Sequence, residues 1–202
     1  MLKSKIFKNC LALLLITLVA GFALACVNEI TKEPISQAEN QAKMDAYNQV
    51  FQNAEFKEIE NVQALIDEYN SANQSNAVVN DALQAMDVNG NVIGYVMTTT
   101  SSSGYGGDIK IAIGISSQGD KITGFKVLSH SETAGLGARC AEDSFQSQFG
   151  GKNAGAISYV KGSAVAGDDE IDAISGATIT TNAVTEAVNA ATGFYQSLAK
   201  EG

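Results

Sequence analysis

Ile109-Lys110-Ile111-Ala112-Ile113-Gly114-Ile115 decides the fold of this chain, because every second residue is isoleucine and the residues between are lysine, alanine and glycine. A period of two puts the isoleucines on one face of a β-strand, whereas a helix would scatter them around its surface. Toward the C-terminus, Gln118-Gly119-Asp120 supplies a turn and residues 121–128 a partner strand. Toward the N-terminus, residues 82–88 and 92–100 flank Asn89-Gly90, the pair preferred in a two-residue hairpin. The four runs read as an antiparallel meander.

Farther out the period changes. Ala38, Ala42, Ala46, Val50, Phe51 and Ala54 recur at three- and four-residue steps, which predicts a helix over residues 35–70 with Pro34 at its start. Residues 71–76 are small and polar and read as a connection. Beyond the meander come a loop (129–139), a short helical piece (140–149) and a Gly- and Ala-rich stretch ending at Gly167. Asp168, Asp169, Glu170 and Asp172 then cluster around Ile171. A last helix is expected over 181–200, with Val184, Ala187, Val188, Ala191, Tyr195 and Leu198 on one face. Strands followed by helices make an α+β domain.

The N-terminus bears on the compartment. Residues 10–27 carry no charge, and a helix of that length spans roughly 27 Å, close to a bilayer core. Lys3, Lys5 and Lys8 precede the run and would hold its start in the cytoplasm. The remainder then lies outside. Two other readings stay open: a cleaved signal peptide at Ala23-Leu24-Ala25, and a lipoprotein acylated on Cys26. Residues 28–33 read as a linker between this segment and the next. The net charge is −9, and all 22 acidic residues follow the apolar run, which excludes a nucleic-acid-binding surface. Three cysteines without a Cys-x-x-Cys pair leave no zinc or iron–sulfur framework, and no metal site is expected.

The stretch most suggestive of chemistry is Asp172-Ala173-Ile174-Ser175-Gly176-Ala177-Thr178-Ile179-Thr180-Thr181. Small residues leave Thr178 uncrowded, and a helix starting just after it would aim free N–H groups at a phosphate. Spacing alone equally allows a plain helix cap on Thr180 or Thr181. No nucleophile is paired with a base, so no catalytic residue is expected.

Residues 172–178 resemble the flavinylation motif Asp-x-x-Ser/Thr-Gly-Ala-Thr of the FMN-binding domain family. His130-Ser131-Glu132-Thr133-Ala134-Gly135-Leu136-Gly137 resembles a second loop of that family, with Ala134 where the family has Pro, and Gly104-Tyr105-Gly106-Gly107-Asp108-Ile109 stands before the central strand as a further match. The stretch from Val27 to Ile35 is similar to the start of the RnfG proteins of Rnf-type electron-transport complexes. The NqrC proteins of the sodium-pumping NADH:quinone reductase are longer relatives sharing the flavin motif.

The resemblance implies FMN joined to Thr178 through a phosphoester by a separate flavin transferase, with Ser175, Gly176 and Ala177 as the presenting turn and Asp172 as part of the recognised motif. It implies that Gly135, Leu136 and Gly137 let the backbone approach the flavin, that Glu132 and Thr133 bond its ribityl or phosphate groups, and that His130, Tyr95 and Tyr105 are candidates for further contacts. The expected organisation is a cytoplasmic tip and membrane anchor (1–27), a helical lead-in (28–80) and an antiparallel-sheet FMN-binding domain with flanking helices (81–202). The partners implied are the other membrane proteins of a complex coupling ferredoxin–NAD electron transfer to sodium-ion or proton movement. A free-standing flavin-bearing lipoprotein and an envelope scaffold are the alternatives.

Overall fold

The computed structural model describes residues 2–162 and 169–201, and the side chains of residues 5–162 and 169–199. Gly167 and Asp168 lie outside the described residues. The chain divides into two compact units, Met1–Ala42 and Lys43–Gly202.

Helix α1 (Leu2–Val50) enters from the first unit and ends in the second. It contains a stretch long and apolar enough to cross a membrane, with mean hydropathy 2.8 and every residue of that window exposed. The linker expected at 28–33 and the helix start expected at Pro34 are both replaced by unbroken helix. Proline removes one backbone bond, and good helix formers on both sides (Glu29, Lys32, Glu33, Gln37, Ala38, Glu39) carry the helix past it.

The helix expected over 35–70 is divided. Its periodicity stops at Val50, and Asn53 (φ 57°) and Asn61 (φ 56°) adopt left-handed backbone that breaks helical continuity. Between them Glu55–Glu58 forms strand β1, and Val62–Ala72 forms a separate helix α2. Strand β1 pairs antiparallel with β2 (Ala77–Met86), because Phe56 can then join Tyr47, their ring centroids 5.7 Å apart. The segment expected as a helical lead-in thus supplies an edge strand and the start of a second strand.

The expected meander follows as β2, β3 (Val92–Gly104), β4 (Gly107–Ser116) and β5 (Lys121–Ser129), and with β1 it makes a five-stranded antiparallel sheet in sequence order. The β2–β3 turn is wider than the two residues expected. Asp87 N–H bonds Asn91 O at 2.9 Å, and Gly90 (φ 82°) alone takes the left-handed position. The carboxylate of Asp87 accepts from Asn89 N–H at 2.8 Å and from Asn91 N–H at 2.9 Å, which favours the three-residue loop over the tight turn.

Both faces of the sheet are covered, and β4 shows why its sequence alternates. Ile109, Ile111, Ile113 and Ile115 are fully buried on one face with Met97, against Val184, Ala187, Val188, Ala191 and Phe194 of helix α4 (Thr178–Glu201). Ala112 and Gly114 point to the other face, where the end of α1 lies with Tyr47, Val50 and Phe51. There the helix presses so close that a Cβ on Gly114 would meet Val50 O at 2.8 Å. Thr123 Oγ1 donates to Val50 O at 2.5 Å, and Tyr47 and Thr98 share a hydroxyl–hydroxyl bond of 2.7 Å.

The helical piece expected at 140–149 is a 3-10 turn (Gly137–Ala141) and a single-turn helix α3 (Asp143–Gln146). Strands β6 (Ser158–Val160) and β7 (Glu170–Asp172) form a parallel pair that delivers the chain to α4. The architecture is α+β, with the apolar helix first, the antiparallel sheet next and helices flanking it.

Candidate functional site

Strand β7 ends at Asp172, and the next residues form a tight turn. Ile174 is buried, and its carbonyl accepts Ala177 N–H at 3.0 Å across Ser175-Gly176, with Gly176 at φ 78° as a type II turn requires. Ala177 O then accepts Thr181 N–H at 3.0 Å, so α4 starts at Thr178 and Ala177 is its N-cap. The capping role considered for Thr180 and Thr181 is overturned. Thr181 Oγ1 donates back to Ala177 O at 3.0 Å and accepts Ile174 N–H at 3.0 Å, bracing the turn instead. Thr180 Oγ1 donates to Glu132 Oε2 at 2.6 Å.

Thr178 therefore stands as the first helical residue, half-buried, and among the described residues its hydroxyl has no hydrogen-bond partner. The N–H groups of Thr178, Ile179 and Thr180 have no acceptor within the helix, so the positive end of the helix opens beside that hydroxyl.

The second loop folds against this turn. Thr133 O accepts N–H from Leu136 and from Ala138, each at 3.1 Å, and Gly135 takes φ 76°. Ala134 occupies the turn position where proline is favoured, and the turn closes without it. Leu136 is 47% exposed and leans over Gly176, where an added Cβ would come within 3.3 Å of its Cδ2. Glu132 is buried: Oε1 accepts Gly106 N–H at 2.8 Å and Oε2 accepts the Thr180 hydroxyl. His130 Nδ1 accepts Glu132 N–H at 3.2 Å. Beneath the loop, burial and then the nearby Glu132 carboxylate push the Cys140 thiol up to about 11.

These two loops enclose a cavity of about 620 Å³ lined by Tyr105, Glu132, Thr133, Leu136, Gly137 and residues 176–180. Its volume is that of a small-molecule site. Of the expected site residues, Glu132, Thr133, Leu136, Gly137, Gly176, Ala177 and Thr178 come together here. Ser175 instead lines an adjacent depression of about 390 Å³ with Gly176, Thr178 and Lys161, so Thr178 stands between the two hollows. Asp172 lines a third, of about 270 Å³, beside Arg139, and among the described residues its Oδ1 is buried without a partner. Gly135 shapes the loop and lines none of the three. Of the two tyrosines, Tyr105 is at the cavity and 73% exposed, while Tyr95 packs edge-on against Tyr195 with centroids 5.8 Å apart. Ile179 and Thr180 also line the cavity. The signal in the sequence that points to them is their place beside Thr178 in the first turn of α4, whose N–H groups have no partner within the helix.

A hydroxyl with no partner among the described residues, helix N–H groups with no acceptor within the helix, and apolar walls from Tyr105, Leu136 and Ile179 suit a ligand with a phosphate end and a planar ring. FMN has that form, and the residues present fit it.

The chain matches family models for an FMN-binding domain over residues 104–193 and for an RnfG N-terminal region over residues 1–50. It is 35% identical to the G subunit of the Na(+)-translocating ferredoxin:NAD(+) oxidoreductase complex of Acetobacterium woodii over 202 residues, covering 96% of this chain and 94% of that protein. It is 40% identical to the G subunit of the ion-translocating oxidoreductase complex of Methanosarcina acetivorans over 119 residues, 59% of each chain. Among solved structures, NqrC of Shewanella oneidensis aligns with TM-score 0.53 and 26% identity, over 59% of this chain and 60% of that one. With an RnfG N-terminal region, an FMN-binding domain and a near full-length relative, the chain belongs to the RnfG family of ion-translocating oxidoreductase complexes.

Proposed function

We propose that this chain is the flavin-carrying subunit of a membrane complex that moves electrons between ferredoxin and NAD and couples that flow to movement of sodium ions or protons. FMN is joined to Thr178 by a phosphoester, and a separate flavin transferase attaches it. The observation that carries this reading is the Thr178 hydroxyl, without a partner among the described residues, at the open N-terminus of α4 on the wall of a cavity of about 620 Å³.

Each group has a part. The N–H groups of Thr178, Ile179 and Thr180 face the phosphate, where the helix dipole favours negative charge. Ser175, Gly176 and Ala177 hold Thr178 clear of the body so that the transferase can reach it, and Asp172 belongs to the stretch the transferase reads. Thr133, Leu136 and Gly137 form the wall against the ring, with Gly135 shaping the loop that carries them and Tyr105 on the same cavity. Bound flavin supplies one- and two-electron chemistry, while the protein fixes its place and the polarity around it. Bonding through the phosphate leaves the ring unaltered, so burial and hydrogen bonds set its potential.

The apolar stretch of α1 is the anchor, with the N-terminus cytoplasmic and the flavin domain on the far side of the membrane. Holding the carrier covalently there keeps it at a fixed, high effective concentration beside its partners.

Full-length chain and a Thr178→Ala variant, each co-expressed with a flavin transferase, test the proposal by fluorescence on denaturing gels and by intact mass. A fluorescent band with the mass gain of FMN minus water, absent from the variant, is the expected result. A dark wild-type band, with the transferase active on a control substrate, refutes it.

A further inference from the structure

We propose that Glu132 is a positioning residue, a clasp that joins the β3–β4 turn and the 130–137 loop to the first turn of α4, and that it does not act by bonding the ligand. Both carboxylate oxygens are engaged within the protein: Oε1 with Gly106 N–H at 2.8 Å, Oε2 with the Thr180 hydroxyl at 2.6 Å. Three segments distant in sequence thus meet on one side chain: the β3–β4 turn, the 130–137 loop and the start of the helix that carries Thr178.

The surroundings are shaped to this carboxylate. A Cβ on Gly104 would come within 2.9 Å of Glu132 Oε1, and one on Gly137 would collide with Glu132 Oε2 and with Thr180 Oγ1. On Gly106 an added Cβ would strike the Ser131 carbonyl, so the absence of side chains at all three positions is what lets the loops close. The Glu132 backbone is held as well, its N–H donating to His130 Nδ1 at 3.2 Å. A side chain this enclosed, 8% exposed, has each carboxylate oxygen held by a different segment of the fold.

The proposal rests on the flavin reading for what the clasp positions, but its existence is testable without flavin. Glu132→Ala, Glu132→Gln and Thr180→Val are made in the full-length chain carrying Thr178→Ala, purified in detergent, and melted by near-ultraviolet circular dichroism. Glu132→Ala and Thr180→Val each strand a buried group and lower the melting temperature by roughly 5–10 °C. Glu132→Gln keeps most of the stability, because its amide oxygen accepts Gly106 N–H while its NH2 donates to a turned Thr180 hydroxyl.

In chains with Thr178 intact and flavin attached, Glu132→Ala lowers the flavin's fluorescence anisotropy and Glu132→Gln restores it. A flavin-free Glu132→Ala protein that melts like its parent, with stability lost only in the flavin-bearing form, overturns the clasp and makes Glu132 a ligand contact. Should Glu132→Ala not fold, Thr180→Val against Thr180→Ser decides in the same way, since serine keeps the hydroxyl; equal melting of those two overturns the clasp. Failure of the wild-type chain to take flavin refutes the reading of Thr178 and leaves the melting comparison able to decide the clasp.

Discussion

Gly137 has no room for a side chain, and the reason is the buried carboxylate beside it rather than a backbone angle. Gly137→Ala is expected to cost about 1–3 kcal/mol by overpacking, read as a lower urea midpoint with unchanged slope. Cys140 gives a second prediction at this scale. Its thiol, buried and pushed up to about 11, stays protonated at pH 8. Iodoacetamide at that pH should leave Cys140 unlabelled in the native chain and label it after denaturation, as peptide mass spectrometry would show. The residue scale is also where sequence spelled out most of the candidate site. Thr178, Gly176, Leu136 and Gly137 were all legible as motif positions, whereas the Glu132–Thr180 bond joins positions 48 apart and has no local signature.

At the scale of elements, the β2–β3 hairpin is held by Asp87. Hydrogen bonds from Asn91, side chain first and then backbone, hold its carboxyl below the ordinary 3.8. A depressed folded-state value means the stabilisation is present above the unfolded value and lost as pH falls through the folded one. The wild type should therefore lose its stability advantage over Asp87→Ala below about pH 4, in urea titrations of both proteins. The other element under tight constraint is the back of the sheet. A Cβ on Gly124 would meet Val50 Cα at 2.7 Å and Val50 O at 2.9 Å. Gly124→Val should thus destabilise by about 1–3 kcal/mol in thermal melts although valine is the better strand former, since the obstacle is helix backbone. Sequence periodicity identified β4 correctly and also carried a hint of this contact, the small residues Ala112 and Gly114 on the face opposite the isoleucines. It could not say that the end of α1 was what covered them.

For the whole molecule, the second compact unit begins at Lys43, and the boundary expected at 80/81 falls within strand β2. A chain started at Lys43 keeps Tyr47, Val50, Phe51 and strand β1, and should express as a soluble protein with a cooperative melt. One started at residue 81 loses them, leaves Ala85, Val96 and Ala112 uncovered, and should aggregate; circular dichroism and sedimentation of the two fragments check this. Sequence by itself determined what depends on near neighbours. The strand period of β4 and the buried face of α4 follow from side chains spaced along one element. So does the apolar stretch of α1. The motif that presents Thr178 is similarly compact, a tight turn running into a helix. Only the tertiary structure decided where α1 stops, that Glu55–Glu58 is a strand, and that Glu132 ties the loops to α4. Each of those is settled by a partner far along the chain: the glycine-lined sheet back, the free edge of β2 and the Thr180 hydroxyl. The free energy of such contacts appears only when distant segments meet, so no local pattern of residues records it.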